Sequence, residues 1–139
     1  MENQRWLVGE NRYKGERLLL RRPEIIDVKA LLPRFPVLAT ITHELEGVTS
    51  DGLPERAYNE SLADLDHEII TAFDGGNGTV VLVETFSGER NYYFYIAEGV
   101  DVSKTAAVIM RQYPNAKLST FSKPDPAWNF LARYAKDYF

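Results

Sequence analysis

Two histidines, His43 and His67, are the only side chains in this sequence whose ordinary pKa lies near neutrality. Neither has the neighbours of a catalytic centre. His43 falls in "VLATITHELE", on the side of an alternating pattern shared with Val37, Ala39, Ile41 and Leu45. That position predicts a core or sheet-end histidine rather than a general base. His67 follows Asp64 by three residues on a polar helical face with Glu60 and Thr71. A histidine and an aspartate give two ligands where catalytic zinc takes three, so a solvated charged face is expected. The chain has no cysteine, which excludes disulfides, thiolate metal sites and a cysteine nucleophile. "DGGNGT" (74–79) is rich in glycine but follows a helical pattern and precedes a strand, the reverse of a phosphate cradle. No Gly-x-Ser-x-Gly elbow is present, and no close pair among the 20 acidic residues stands in an apolar context that would split their pKa values. The expectation is no catalytic residue, no metal and no cofactor.

What remains is the chemistry of recognition. Arg90, beside the turn of "ETFSGERNYYFY", and Arg21–Arg22 ahead of Pro23 carry guanidiniums that fork onto carboxylates or phosphates. The structural alternative for Arg90 is a pair with Glu84 or Glu89. Tyr93 and Tyr95 sit on an aromatic strand that invites comparison with RNA-stacking sheets. A net charge of −4 and the missing basic-Gly-aromatic-Gly signature make nucleic acid an unfavoured partner. Arg90, Tyr93, Tyr95, Trp128 and His43 are the candidate binding residues.

These side chains need elements to hold them. With 139 residues, 45% of them hydrophobic and 26% charged, the chain has the make-up of one globular domain. "RWLVG" and "ERLLLRRP" are short extended segments around the turn-like "ENRYKG", and "EIIDVKALLPRFP" holds a short helix. Residues 37–46 alternate as a strand with one buried face, Leu38 being the exception. One helix follows, with Tyr58, Leu62, Leu65, Ile69, Ala72 and Phe73 as its stripe and "DGGNG" as its stop. "TVVLVETF" and "NYYFYIA" form a hairpin with Gly88 at its tip. Val81, Val83, Tyr92, Phe94 and Ile96 share one face of it; Val80, Leu82, Glu84, Tyr93 and Tyr95 share the other. Asp101 or Ser103 caps a second helix with Val102, Ala106, Ile109 and Tyr113 on its stripe; Pro114 stops it and "KLSTFS" is the last strand. The order strand, helix, strand, strand, helix, strand predicts an α+β, ferredoxin-like fold, a four-stranded antiparallel sheet with two helices on one face. Residues 1–36 form an N-terminal extension, 37–122 the core and 123–139 a final helix.

The end of the chain, "KPDPAWNFLARY", reads as a deliberate helix start, with Asp125 as N-cap and Pro126 in the first turn. Asn129, Arg133, Lys136 and Asp137 fall on one narrow face. Trp128, Phe130, Leu131, Ala132, Tyr134, Ala135, Tyr138 and Phe139 occupy the rest. Such an apolar arc must be covered, and the open sheet face is the natural cover.

With these pieces in place, the chain resembles domain of unknown function 695, a bacterial family. The resemblance is carried by "LLLRRP" (18–23), "RFPVLATITHE" (34–44), "DGLP" (51–54), "LADLDHEI" (62–69), "TVVLVETFSGERNYYFY" (79–95) and "PDPAWNFLARY" (124–134). Its strongest parts are the hairpin's T-x-x-G-x-R and the closing D-P-x-W. In architecture and in that closing motif the chain also resembles the regulator of ribonuclease activity B family, which implies action by binding a partner protein. Residues 1–15 lack the apolar run of a secretory signal, and no stretch reaches the ~20 apolar residues of a spanning helix, so a cytoplasmic protein is expected. The functional expectation is a non-catalytic interaction or regulatory domain engaging a protein partner or a second copy of itself. The alternative is an enzyme or small-ligand binder with a cleft between the sheet and the C-terminal helix.

Overall fold

Two tight turns organise the strands. Lys14–Gly15 and Ser87–Gly88 each place two successive residues at positive φ (52° and 81°, 50° and 86°), the backbone of a two-residue hairpin turn that suits the strands' twist. The first joins β1 (Trp6–Tyr13) to β2 (Glu16–Pro23), the second β4 (Gly78–Phe86) to β5 (Glu89–Ile96). Between and after them come α1 (Val28–Leu31), β3 (Val37–Glu44), α2 (Arg56–Ser61), α3 (Ala63–Ile70), α4 (Val102–Gln112), β6 (Lys117–Pro124) and α5 (Asn129–Tyr138). The structure, a computed structural model, describes residues 5–138, with side chains as far as residue 135.

The fold is mixed α+β, and its strands form one open antiparallel sheet in the order β1-β2-β4-β5-β3-β6. This corrects the expected four-stranded ferredoxin-like sheet to six strands. The N-terminal hairpin β1–β2 supplies the two added strands. Leu18–Arg21 pair with Phe86–Val83, so β2 covers the edge that β4 would otherwise expose. That pairing brings Leu18 and Leu20 into the core, where both are buried.

Both faces of the central strands are covered, which is why they are apolar on both sides. On one face Ala39, Ile41, Val83, Tyr92, Phe94 and Ile96 pack with Leu65, Ile69 and Phe73, and with Val102 and Ile109 of α4. On the other, Leu18, Leu20, Leu38, Leu82 and Tyr95 pack with Phe35 and Trp128, ringed by Leu31, Phe130, Leu131 and Tyr134. One pair of valines departs from the expected alternation: Val80 joins the first cluster and Val81 the second. The register jumps there, with Val80 opposite Phe94 and Leu82 opposite Tyr93. The extra residue of this bulge exchanges the two valines and leaves later positions in phase.

Two helix expectations also need correction. The helix expected before "DGGNG" is two pieces, α2 and α3, separated at Leu62, whose ψ of 1° leaves the helical region. The last helix starts at Asn129, not at Pro126. A turn over Pro126–Ala127 and a left-handed Trp128 (φ 54°) come first. Asp125 still caps it, because its carboxylate accepts the amides of Asn129 (3.0 Å) and Phe130 (3.0 Å) across that turn. Phe130, Leu131, Tyr134 and Ala135 are half-buried while Ala132 and Arg133 are exposed, so α5 is covered on one side along the residues whose side chains are described. Phe139 and the side chains of Lys136, Asp137 and Tyr138 lie outside the described residues. No helix among the described residues is long and apolar enough to cross a membrane.

Candidate functional site

The two-residue turn after β4 sets Thr85 opposite Arg90, and the next strand sets His43 opposite Arg90 in turn. The three side chains therefore share a face of the sheet. Arg90 is only 7% exposed. Its Nε donates to Thr85 Oγ1 (2.9 Å) and its Nη2 to Asn59 Oδ1 on α2 (2.8 Å), while Nη1 lies 3.8 Å from the Asp66 carboxylate. The T-x-x-G-x-R motif thus has a physical cause. Glycine lets the turn close, and threonine supplies the acceptor for the buried arginine across it. The pairing with Glu84 or Glu89 weighed from the sequence is not the one formed.

Asp66, on α3, is the centre of the constellation. Arg21 on β2 grips it with both terminal nitrogens (3.0 and 2.7 Å), and the Tyr92 hydroxyl donates to it (2.7 Å). Burial alone would push this carboxyl up. The Arg21 hydrogen bonds and charge, the Tyr92 hydroxyl and the Arg90 charge outweigh burial and hold it below the usual carboxylate value. Burial also opposes the charge of Arg21, and Asp66 more than restores it. The Tyr92 hydroxyl, desolvated beside an anion, is pushed far up and stays a donor. His43 is 3% exposed; burial first and Arg90 second push its pKa down, so its ring is neutral at pH 7. Its ring holds no hydrogen bond among the described residues.

A groove of about 350 Å³ opens over this cluster between the N-terminal hairpin and helices α2–α3. Val8, Leu19 and Val83 give it an apolar floor; Arg21, Asn59, Asp66, Thr85 and Arg90 line its polar side, with Glu60 and Ala63 on the helical wall.

Tyr93, Tyr95 and Trp128 lie on the opposite face of the sheet from Arg90 and His43, so the candidate binding residues do not form one site. Tyr95 stacks on Trp128 (centroids 4.1 Å apart, planes at 5°) and donates to Asp125 (2.7 Å), while Trp128 Nε1 donates to the Phe35 carbonyl (2.9 Å). The D-P-x-W motif is this lock. Tyr93 packs on Phe130 at 4.6 Å. A second hollow, about 370 Å³, opens between β6 and α5, lined by Lys123, Asp125, Asn129, Phe130, Arg133 and Tyr134. That hollow lies between the sheet and the C-terminal helix, where the alternative reading expected a cleft; Tyr95, stacked on Trp128, does not line it.

Asp66, Asn59 and Thr85 were missed from the sequence. For Asp66 a signal existed: it stands four residues after Leu62 and three before Ile69, an acid on an apolar stripe, which needs a buried partner. Asp64 and His67 form no metal cluster, and no group of three or more metal-ligating side chains occurs among the described residues.

A family model described as "Family of unknown function (DUF695)" matches residues 24–134. No curated protein and no solved structure matches the chain. The family match carries the first resemblance; nothing in these comparisons extends to the regulator of ribonuclease activity B family.

Proposed function

We propose, for a chain that belongs to the DUF695 family of unknown function, a non-catalytic role as a protein-interaction or regulatory domain whose recognition surface is the groove between the N-terminal hairpin and α2–α3. The observation that supports it is the groove's make-up: an apolar floor of Val8, Leu19 and Val83 with guanidinium, amide, hydroxyl and carboxylate groups converging from three strands and two helices. Concave sites that take up small molecules share this pattern of apolar lining and few convergent polar groups, and here it would receive a side chain of the partner. We further infer that residues 37–122 are a ferredoxin-like unit to which the hairpin was added; the strand order β4-β5-β3-β6 supports this. The groove then lies at the seam between unit and addition, in the cytoplasm by the expectation above.

The test is tagged protein purified at native level beside a Val8→Trp variant. Val8 is 74% exposed, so tryptophan there obstructs the groove without disturbing the core. Wild type holding a stoichiometric partner, or a second copy, that Val8→Trp loses supports the proposal. Equal retention by both proteins, or a wild type that is monomeric and retains nothing, overturns it.

A further inference from the structure

We infer that the groove holds an oxyanion, a carboxylate or a phosphate, gripped by Arg90 with help from Arg21 and Asn59; this deepens the binding role just proposed and rests on it. Charge is the first ground. Two guanidiniums, Arg21 and Arg90, share one carboxylate, that of Asp66. Glu60 on the groove wall does not cancel the surplus, because it is exposed and pairs with Arg56 at 3.3 Å. Arg90, the more buried of the two, holds the shared carboxylate at 3.8 Å against 2.7 Å for Arg21, so the weaker pairing falls where a charge is costliest to leave partly neutralised.

Donors that meet no acceptor among the described residues are the second ground. Arg90 commits Nε and Nη2 and leaves Nη1 without a hydrogen bond. Arg21 commits both terminal nitrogens to Asp66 and leaves Nε without one. Asn59 spends its oxygen on Arg90, so its Nδ2 donors have no acceptor. Three donor groups without acceptors among the described residues, around one small groove, match a ligand that only accepts. Planar guanidinium forks suit carboxylate and phosphate oxygens alike.

The experiment is calorimetric titration at pH 7 and constant ionic strength with succinate, inorganic phosphate and, as a neutral control, succinamide. Wild type, Arg90→Lys, Asn59→Leu and Val8→Trp are compared, with thermal melts to confirm folding. Asn59 and Val8 are exposed, so those two variants test the site even where Arg90→Lys does not fold. Saturable one-to-one binding of succinate or phosphate is expected, with none for succinamide. Which of the two binds tells carboxylate from phosphate. Asn59→Leu and Arg90→Lys should weaken binding at least about tenfold, the scale of one lost charge-assisted hydrogen bond. Absence of saturable binding by either anion, or equal binding by succinamide, overturns the oxyanion; a partner still lost by Val8→Trp would then leave the groove's binding role standing. Anion binding unchanged by Val8→Trp and Asn59→Leu overturns the site itself.

Discussion

Replacing Asp66 by asparagine removes the one carboxylate among the described residues that answers both Arg21 and Arg90. Arg21 loses the anionic partner of a two-pronged bond (3.0 and 2.7 Å), and Arg90 loses its counter-charge at 3.8 Å. Tyr92 keeps an acceptor in the amide oxygen. Breaking a buried ion pair by neutralising one partner costs about 3–5 kcal/mol. The Arg21 side chain is 29% exposed and recovers part of this by hydration, whereas that of Arg90, at 8%, does not. The expected loss is therefore near the lower end, about 3 kcal/mol. Urea unfolding at pH 7 should show it as a lower midpoint at an unchanged slope. The pH dependence gives a second readout. The folded-state pKa of Asp66 is held below its ordinary 3.8, so its contribution is complete above that value and disappears as pH falls through the folded value. Asp66→Asn should lack this part of the acid limb, and the two proteins should converge in stability below it. Phosphate or succinate should also stabilise the variant more than wild type, since two guanidiniums then lack an anion. A loss under about 1 kcal/mol, the scale of a solvent-exposed pair, would refute the reasoning.

Other outcomes follow from the same geometry. Trp128→Ala should cost about 3–5 kcal/mol, because it empties a buried ring site and unlocks Tyr95 and the Phe35 carbonyl, and calorimetric melting should show it. Thr85→Val leaves the Arg90 Nε without its acceptor and should cost about 1–3 kcal/mol in urea titrations, with weaker oxyanion binding. His43 is buried with its pKa below the ordinary 6.5, so wild-type stability should begin to fall as pH drops below that value and level off beneath the folded one; His43→Leu should be flat across that window, as followed by circular dichroism.

The parts of the fold that contrast in polarity were legible. His43 shares its strand's alternation with Val37, Ala39 and Ile41, and the turn at Ser87–Gly88 fixed which residues oppose one another. The bulge was not legible, because Val80, Val81, Leu82 and Val83 form an unbroken apolar run with no polar residue to mark the phase. The capture of β2 by β4 was invisible for another reason: it joins segments some sixty residues apart, beyond any local pattern. The site was partly legible. Arg90 and Tyr95 differ by an odd number of positions on one strand, so parity alone places them on opposite faces. The start of α5 depended on a left-handed Trp128, a conformation that bulky residues adopt only when the surroundings hold them there.

The most direct measurement is an amide-resolved NMR titration of the full chain with succinate and with phosphate at constant ionic strength. If the groove holds an oxyanion, saturable shifts cluster at Val8, Asn59, Thr85 and Arg90 while Lys123, Asn129 and Arg133 stay still. Shifts confined to the hollow between β6 and α5, or no saturable shift anywhere, would contradict it.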